Sequence, residues 1–326
     1  GAARSGRGAC MVDQGSVIAG YQLAEVVGSG PFGRTFRAED ASGGQVAIKL
    51  LKPTFLARVD GASAFERLQA SIAVHAQLAH PYLARVRGAV REPAREAYGQ
   101  VAEYLRGQPL AAIQMGAEVR QGRDPQGLAN LLQCFEQLGD VLHWLHGQGM
   151  VHGNLKPGNV LVLPHQEEQH VKLLDLSWSA IGVAAVARGP QSFVSPEQYQ
   201  GAVPTPASDQ WALGTMLERM FTRGYHPLSL GVLPAALVHA VQRATHEAPE
   251  ARFDSVEALV RQLREIRIDL LQSAGRPVHA PHASATLPGG AVPHDLAGRS
   301  QDPGDPRPET PRQAHPPLRR GAVDPR

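Results

Sequence analysis

The 326-residue chain carries a formal net charge of +2, with 43% hydrophobic and 19% charged residues. That balance supplies enough apolar material for a core and gives no strong field for nucleic acid or a membrane surface. Two cysteines, Cys10 and Cys134, cannot build a disulfide framework, which fits a reducing compartment and a cytoplasmic location. No apolar run approaches the ~20 residues that a membrane helix needs. Gly1 to Cys10 is small and basic without an apolar segment, so no signal peptide is expected. Residues 1–14 are expected to lie outside the fold as a disordered segment.

Tyr21 to Val27 is a strand candidate that runs into glycines. Thr35–Glu39 and Gln45–Leu51 follow, with Ser42-Gly43-Gly44 as the turn between them. Ala64 to Leu78 has helical spacing, with Phe65, Leu68, Ile72, His75 and Leu78 near one face. Residues 83–91 and 97–105 are strand-like. From 126 to 148 the helical pattern is strong: Leu128, Leu131, Leu132, Phe135, Leu138, Val141, Leu142 and Leu145 recur at threes and fours. Short strands are predicted at Val160–Leu163 and Val171–Leu174. Trp211–Phe221, Leu233–Thr245 and Ser255–Gln272 read as helices, the last with Ser255 as N-cap.

After 273 the composition shifts to Pro, Gly, His, Arg and Asp with almost no aromatics. Such a segment buries too little apolar area to offset its ordering entropy, so 274–326 is expected to be a disordered, Pro-rich tail. Its histidines, His279, His282, His294 and His315, are scattered and carry no metal pattern. Cys134, on the long helix, is expected to be a core residue.

Gly28-Ser29-Gly30-Pro31-Phe32-Gly33 lies between two strand candidates. Glycines there let a backbone approach phosphate without a Cβ clash, and the strand–loop–strand context is that of a kinase phosphate loop. Alone the motif is weak, and a tight turn explains it equally. Val46-Ala47-Ile48-Lys49 follows one strand later. His152-Gly153-Asn154-Leu155-Lys156-Pro157-Gly158-Asn159 follows the long helix, and Asp175 lies sixteen residues after Asn159 at a strand end. Ser195-Pro196-Glu197, Asp209 to Gly214 and Arg252 complete the order.

Seven motifs in this order make the chain resemble the protein-kinase family, particularly bacterial Ser/Thr kinases, over roughly residues 20–272. The resemblance implies an α+β, two-lobed fold: an antiparallel sheet with one helix in an N-lobe (15–103), and a mainly helical C-lobe (106–273). It implies ATP in the cleft. Gly28, Ser29, Gly30 and Gly33 would cover the phosphates, Lys49 and Lys156 would face them, and Ala47 and Leu161 would sandwich adenine. Ala102 takes the gatekeeper position, with Glu103 and Leu105 presenting hinge backbone groups. Asn159 and Asp175 would hold Mg²⁺ through oxygen ligands. Glu197, Arg252 and Asp209 match scaffold residues.

The chain departs from an active kinase at several of these positions. Asn154 replaces the aspartate that accepts the substrate proton, a step that contributes about 10²–10⁴-fold. Ser71 takes the place of the helix glutamate that should pair with Lys49. Glu66 lies five residues earlier, about 140° around the helix. Gly153 replaces the arginine that reads an activation-loop phosphate, Ser177 replaces the glycine of Asp-Phe-Gly, and Pro190 replaces an activation-segment threonine. Pro227–Leu233 leaves no room for a substrate-docking helix. Against this, Lys stands at 49 and 156 in a chain with four lysines in all that otherwise uses Arg almost everywhere; since Arg and Lys are not interchangeable at a phosphate, nucleotide binding is expected to persist.

The expectation is therefore a pseudokinase that binds ATP weakly and works as a regulatory or scaffolding module. The alternatives are a slow or atypical Ser/Thr kinase, and a nucleotide-free interaction domain. Partners are expected to be proteins, met through the C-lobe or the Pro-rich tail.

Overall fold

A computed structural model describes residues 12–57, 61–164, 170–181, 193–222 and 233–274. Six strands come first: β1 (Val17–Ile18), β2 (Tyr21–Ser29), β3 (Gly33–Glu39), β4 (Gln45–Leu51), β5 (Val86–Glu92) and β6 (Ala97–Glu103). Helices α1 (Pro53–Leu56) and α2 (Gly61–His75) lie between β4 and β5. The six strands form one sheet in the order β1-β2-β3-β4-β6-β5, with every neighbouring pair antiparallel. Next come β7 (Gln108–Pro109), α3 (Ala117–Arg120), α4 (Pro125–Gly147), β8 (Val160–Leu163) and β9 (His170–Leu173). Among the described residues, helices α5 (Pro196–Tyr199), α6 (Pro206–Thr222), α7 (Ala235–Ala244) and α8 (Val256–Ala274) follow. This is the two-lobed α+β architecture expected from the motifs.

Strand β4 shows how sequence sets the site. Val46, Ile48 and Leu50 alternate into the sheet core with Phe36 and Val101. The period of two then turns Ala47 and Lys49 to the opposite face. Lys49 pairs with Gln100 and Ala47 with Ala102 on β6. Gly99 allows this approach, because a Cβ there would run into the Lys49 carbonyl.

The helical lobe is built on α4. Asp124 caps it, its Oδ1 accepting from Gly127 N at 2.8 Å, and Pro125 opens the first turn. Leu128, Leu132, Phe135, Leu138, Val141, Leu142 and Leu145 are fully buried, each gaining about 1.5–3 kcal/mol relative to exposure. Cys134 is buried with them, and burial pushes its thiol up to about 12. Gly139 lets α8 close in, since a Cβ would collide with Val260. Buried Glu136 on α4 accepts from Arg264 and Arg267 of α8.

Several boundaries differ from the periodicity. Helix α2 ends at His75, three residues early, because Gln77 and Leu78 close three-residue turns ahead of Pro81. Strand β5 begins at Val86, because Ala84 N donates to the Leu173 carbonyl of β9 at 2.9 Å. Helix α6 starts at Pro206, a good first-turn residue, rather than Trp211. Ser255 does cap α8, accepting from Ala258 N at 3.2 Å. Of the 1–14 segment, Val12 packs on the sheet core and Asp13 pairs with Arg34 at 2.9 Å. Residues 1–11 and 275–326, Pro190, and all of Pro227–Leu233 except Leu233 lie outside the described residues. Among the described residues, no helix is long and apolar enough to cross a membrane.

One ion pair ties the segment before α6 to the segment before α8. The Arg252 side chain is fully buried, and its fork meets Glu197 at 2.8 Å on both sides. Its other donors reach the carbonyls of His246, Ala207 and Glu247, so all five N–H groups are used. Burial alone would raise the Glu197 carboxyl. Hydrogen bonds from Arg252, from backbone and from Ser195 and Ser208 outweigh it and bring the pKa to about 2. A carboxyl depressed on folding contributes stability in full above its unfolded value of 4.5, and loses it as pH falls toward about 2. Arg252→Ala strands a carboxylate and should cost about 3–5 kcal/mol. Urea unfolding followed from pH 6 to pH 2 checks both, because the acid-dependent loss should flatten in the variant.

Candidate functional site

A cavity of about 620 Å³ lies between the sheet and the helical lobe. Ala47 of β4 and Leu161 of β8 line it, and so do Glu103, Tyr104 and Leu105 where β6 ends. Ala102, Gln100, His75, Val86 and Leu176 line it as well, together with Lys49 and Asp175.

Eight sequence-predicted residues line this cavity: Gly28, Ala47, Lys49, Ala102, Glu103, Leu105, Leu161 and Asp175. Ser29, Gly30 and Gly33 do not. The glycine loop closes as a tight turn, Gly30 N donating to the Gly33 carbonyl at 2.9 Å. Phe32 at its tip is buried edge-on against Phe55 of α1, in one apolar cluster with Leu68, Ile72 and Trp178. Gly33 is required by the sheet, because a Cβ there would sit 2.6 Å from the Leu50 carbonyl.

Asn154, Lys156 and Asn159 sit beside the cavity on the loop after α4. Buried Asp209, 1% exposed, holds this loop. It accepts from His152 N at 2.9 Å and from Gly153 N at 2.8 Å, and its Oδ2 lies 2.9 Å from His146 Nε2. His152 Nε2 donates to the Leu174 carbonyl at 2.9 Å, so Nδ1 is left to accept from Asn154 N. Leu174 N in turn donates to the Asn159 carbonyl at 2.8 Å. Asn159 Nδ2 donates to the Asn154 carbonyl at 3.0 Å, which leaves Oδ1 as its acceptor atom. Gly153 has φ +68°, where a side chain is strained, and a Cβ there would meet Pro204 at 3.1 Å. Glycine therefore relaxes the position where the family places an arginine.

The surroundings of Lys49 differ from the family pattern. Its ammonium pairs with Asp175 and lies 4.2 Å from the centre of the Trp178 ring. Trp178 is fully buried against α2. Glu66 is exposed, and no carboxylate from the described part of α2 reaches the lysine. Ser71 instead lies 3.4 Å from His75 Nδ1, and His75 Nδ1 lies 2.8 Å from Ser177 Oγ. Burial, with the nearby His152 adding to it, lowers the His75 pKa to about 4, so the ring is neutral near pH 7. Ser177 thus anchors the turn Leu176–Ile181 onto α2. Asp175 itself has φ +62°, a strained value for a residue with a side chain. Lys156 has a lowered pKa, through burial first and the Lys49 charge second, offset by Asp175.

The roles of His75, Trp178 and Gln100 were missed in the sequence, and so was the partner of Ser177. His75 and Ser177 stand 102 residues apart, and no local periodicity joins them. Ser177→Gly should cost about 1 kcal/mol in urea unfolding, because it removes the closer of the two hydroxyls on His75 Nδ1 and leaves only Ser71 at 3.4 Å. Amide exchange along α2 should speed up in the same variant.

The model of the protein kinase domain matches residues 21–256. Serine/threonine-protein kinase PknA of Mycobacterium tuberculosis is 32% identical over 207 residues, 60% of this chain and 45% of its own length. PknA of Corynebacterium glutamicum is 30% identical over 267 residues, 79% of this chain and 53% of its own. The chain thus spans about half the length of these curated relatives. The crystal structure of the M. tuberculosis PknI kinase domain superposes with a TM-score of 0.58 at 21% identity, covering 78% of this chain and all of that one, which supports the fold. With the domain model matched over most of its length, the chain belongs to the protein kinase family, of the bacterial Ser/Thr type.

Proposed function

We propose that this domain is a pseudokinase: a kinase fold that holds ATP in the cleft and regulates or scaffolds protein partners without efficient phosphoryl transfer. The observation that carries this reading is the pairing of Lys49 with Asp175 and Trp178 in place of an α2 carboxylate. Asn154 adds to it, since an amide cannot accept the proton of an attacking hydroxyl. Protein partners would be met through the helical lobe or the Pro-rich 274–326 segment.

ATP would place adenine between Ala47 and Leu161, with the hinge backbone at Glu103–Leu105 fixing its edge. The phosphates would run toward Lys49 and Lys156. Burial and the Lys49 charge already disfavour the Lys156 ammonium, so an anion between the two relieves both. Asn159 Oδ1 and the Asp175 carboxylate are the hard oxygen donors that fit Mg²⁺. The ion would supply charge neutralisation for the phosphates. Asp175 would have to share or release Lys49 to serve it.

Saturating Mg-ATP should raise stability, by ~2.7 kcal/mol at 100 times its Kd, and Lys49→Ala should remove the rise. Transfer of labelled phosphate should stay far below the ~1–100 s⁻¹ of ordinary kinases. Turnover in that range that vanishes in Asp175→Ala makes the chain an active kinase instead. A melt unmoved by millimolar Mg-ATP leaves a nucleotide-free interaction domain.

A further inference from the structure

Glu25, Lys49, Glu103, Arg106 and Asp175 are the charged residues that line the cavity. Lys49 pairs with Asp175, Glu25 meets Arg37 at 2.9 Å, and Glu103 lies 3.6 Å from Lys172. Arg106 has no ion pair among the described residues. It is exposed, and an exposed arginine is ordinarily just solvated. Its place in the cleft gives it a further use.

Arg106 directly follows Leu105 and precedes a segment fixed to β8. Gln108 pairs with Val162, and Pro109 pairs with Leu161. Gly107 lies so close to β8 that a Cβ there would stand 2.8 Å from the Val162 carbonyl oxygen. The backbone next to Arg106 is therefore held against β8. Pro109, Leu161 and Gly158 also line the cavity, and Gly158 is close in sequence to Lys156. A nucleotide with its base at Glu103–Leu105 and its 5′-phosphates toward Lys49 and Lys156 would carry its ribose across this stretch. A plain ribose offers only neutral hydroxyls to a guanidinium that is always charged. A phosphate on the ribose would meet the same fork through paired, charge-assisted hydrogen bonds.

We infer that Arg106 makes the cleft a site for adenine nucleotides that carry a phosphate on the ribose in addition to the 5′-phosphate. The inference rests on the nucleotide reading given above for the placement of the base and the 5′-phosphates.

The test measures binding of 5′-AMP, ADP, adenosine 2′,5′-bisphosphate and adenosine 3′,5′-bisphosphate by calorimetry. At least one bisphosphate should bind about tenfold tighter than AMP, the ratio expected for one charge-assisted contact. A gain with the 2′ compound, the 3′ compound or both supports the subsite and says which ribose phosphate is taken. In Arg106→Gln the favoured bisphosphate should fall to the affinity of AMP. The ADP-to-AMP ratio, set at Lys49 and Lys156, should not follow it. Arg106 is exposed and unpaired, so the urea midpoint of the variant should stay in place. If AMP or ADP binds and neither bisphosphate exceeds AMP, the subsite is overturned and the nucleotide reading stands. A gain that survives Arg106→Gln also overturns it, because the added charge is then met elsewhere. Failure of all four compounds overturns the subsite as well, and the Mg-ATP melt then decides the nucleotide reading separately.

Discussion

The buried carboxylate of Asp209 fixes the part of the molecule on which the cleft depends. It takes two consecutive backbone N–H groups, from His152 and Gly153, and meets the ring of His146. With the loop held there, His152 reaches the Leu174 carbonyl and Leu174 N reaches Asn159. Asp175 is thus delivered next to Lys49 by a chain of hydrogen bonds that starts in α6. A buried carboxylate with several donors is stable in this role, whereas one stripped of them would be costly. Gly153 and Asn154 enter this relay only through backbone atoms, so the network does not depend on which side chains stand at those two positions.

Substitutions that look like separate losses in the sequence are joined in space. Ser177 adds a hydroxyl where the family has none, and His75 receives it. Ser71 lies on the same ring nitrogen rather than near Lys49. Trp178 fills the space between α2 and the lysine and offers its ring face to the ammonium, a contact worth about 0.5–2 kcal/mol. The arrangement around Lys49 is therefore a packed alternative to the missing ion pair. A carboxylate from α2 would have to displace an indole from the apolar cluster before it could reach the lysine.

Much of the fold was legible because its signals are local. The α4 heptad-like leucines, the β4 alternation and the Ser255 cap each act within a few residues, and each lies where the pattern placed it. Boundaries failed where a distant partner intervened, as when β9 captured Ala84 and delayed β5. Within the cleft, Lys49, Asp175, Ala47 and Leu161 could be placed from motif order. The contacts of His75, Trp178 and Gln100 could not, because each depends on segments far away in the chain. Gly33 shows the converse: a glycine read for phosphate has a sufficient cause in the Leu50 carbonyl.

Gly153 and Pro204 together disfavour a side chain at position 153. The left-handed backbone at 153 favours glycine, and the Pro204 ring stands 3.1 Å from where a Cβ would be. A side chain placed at 153 would meet both penalties, the strained φ and a Pro204 ring that would have to give by a few tenths of an ångström. The two penalties act on the same Cβ, one through the backbone and one through a neighbouring ring, so the loop that carries Asn154 is kept in shape by the absence of a side chain one residue before it.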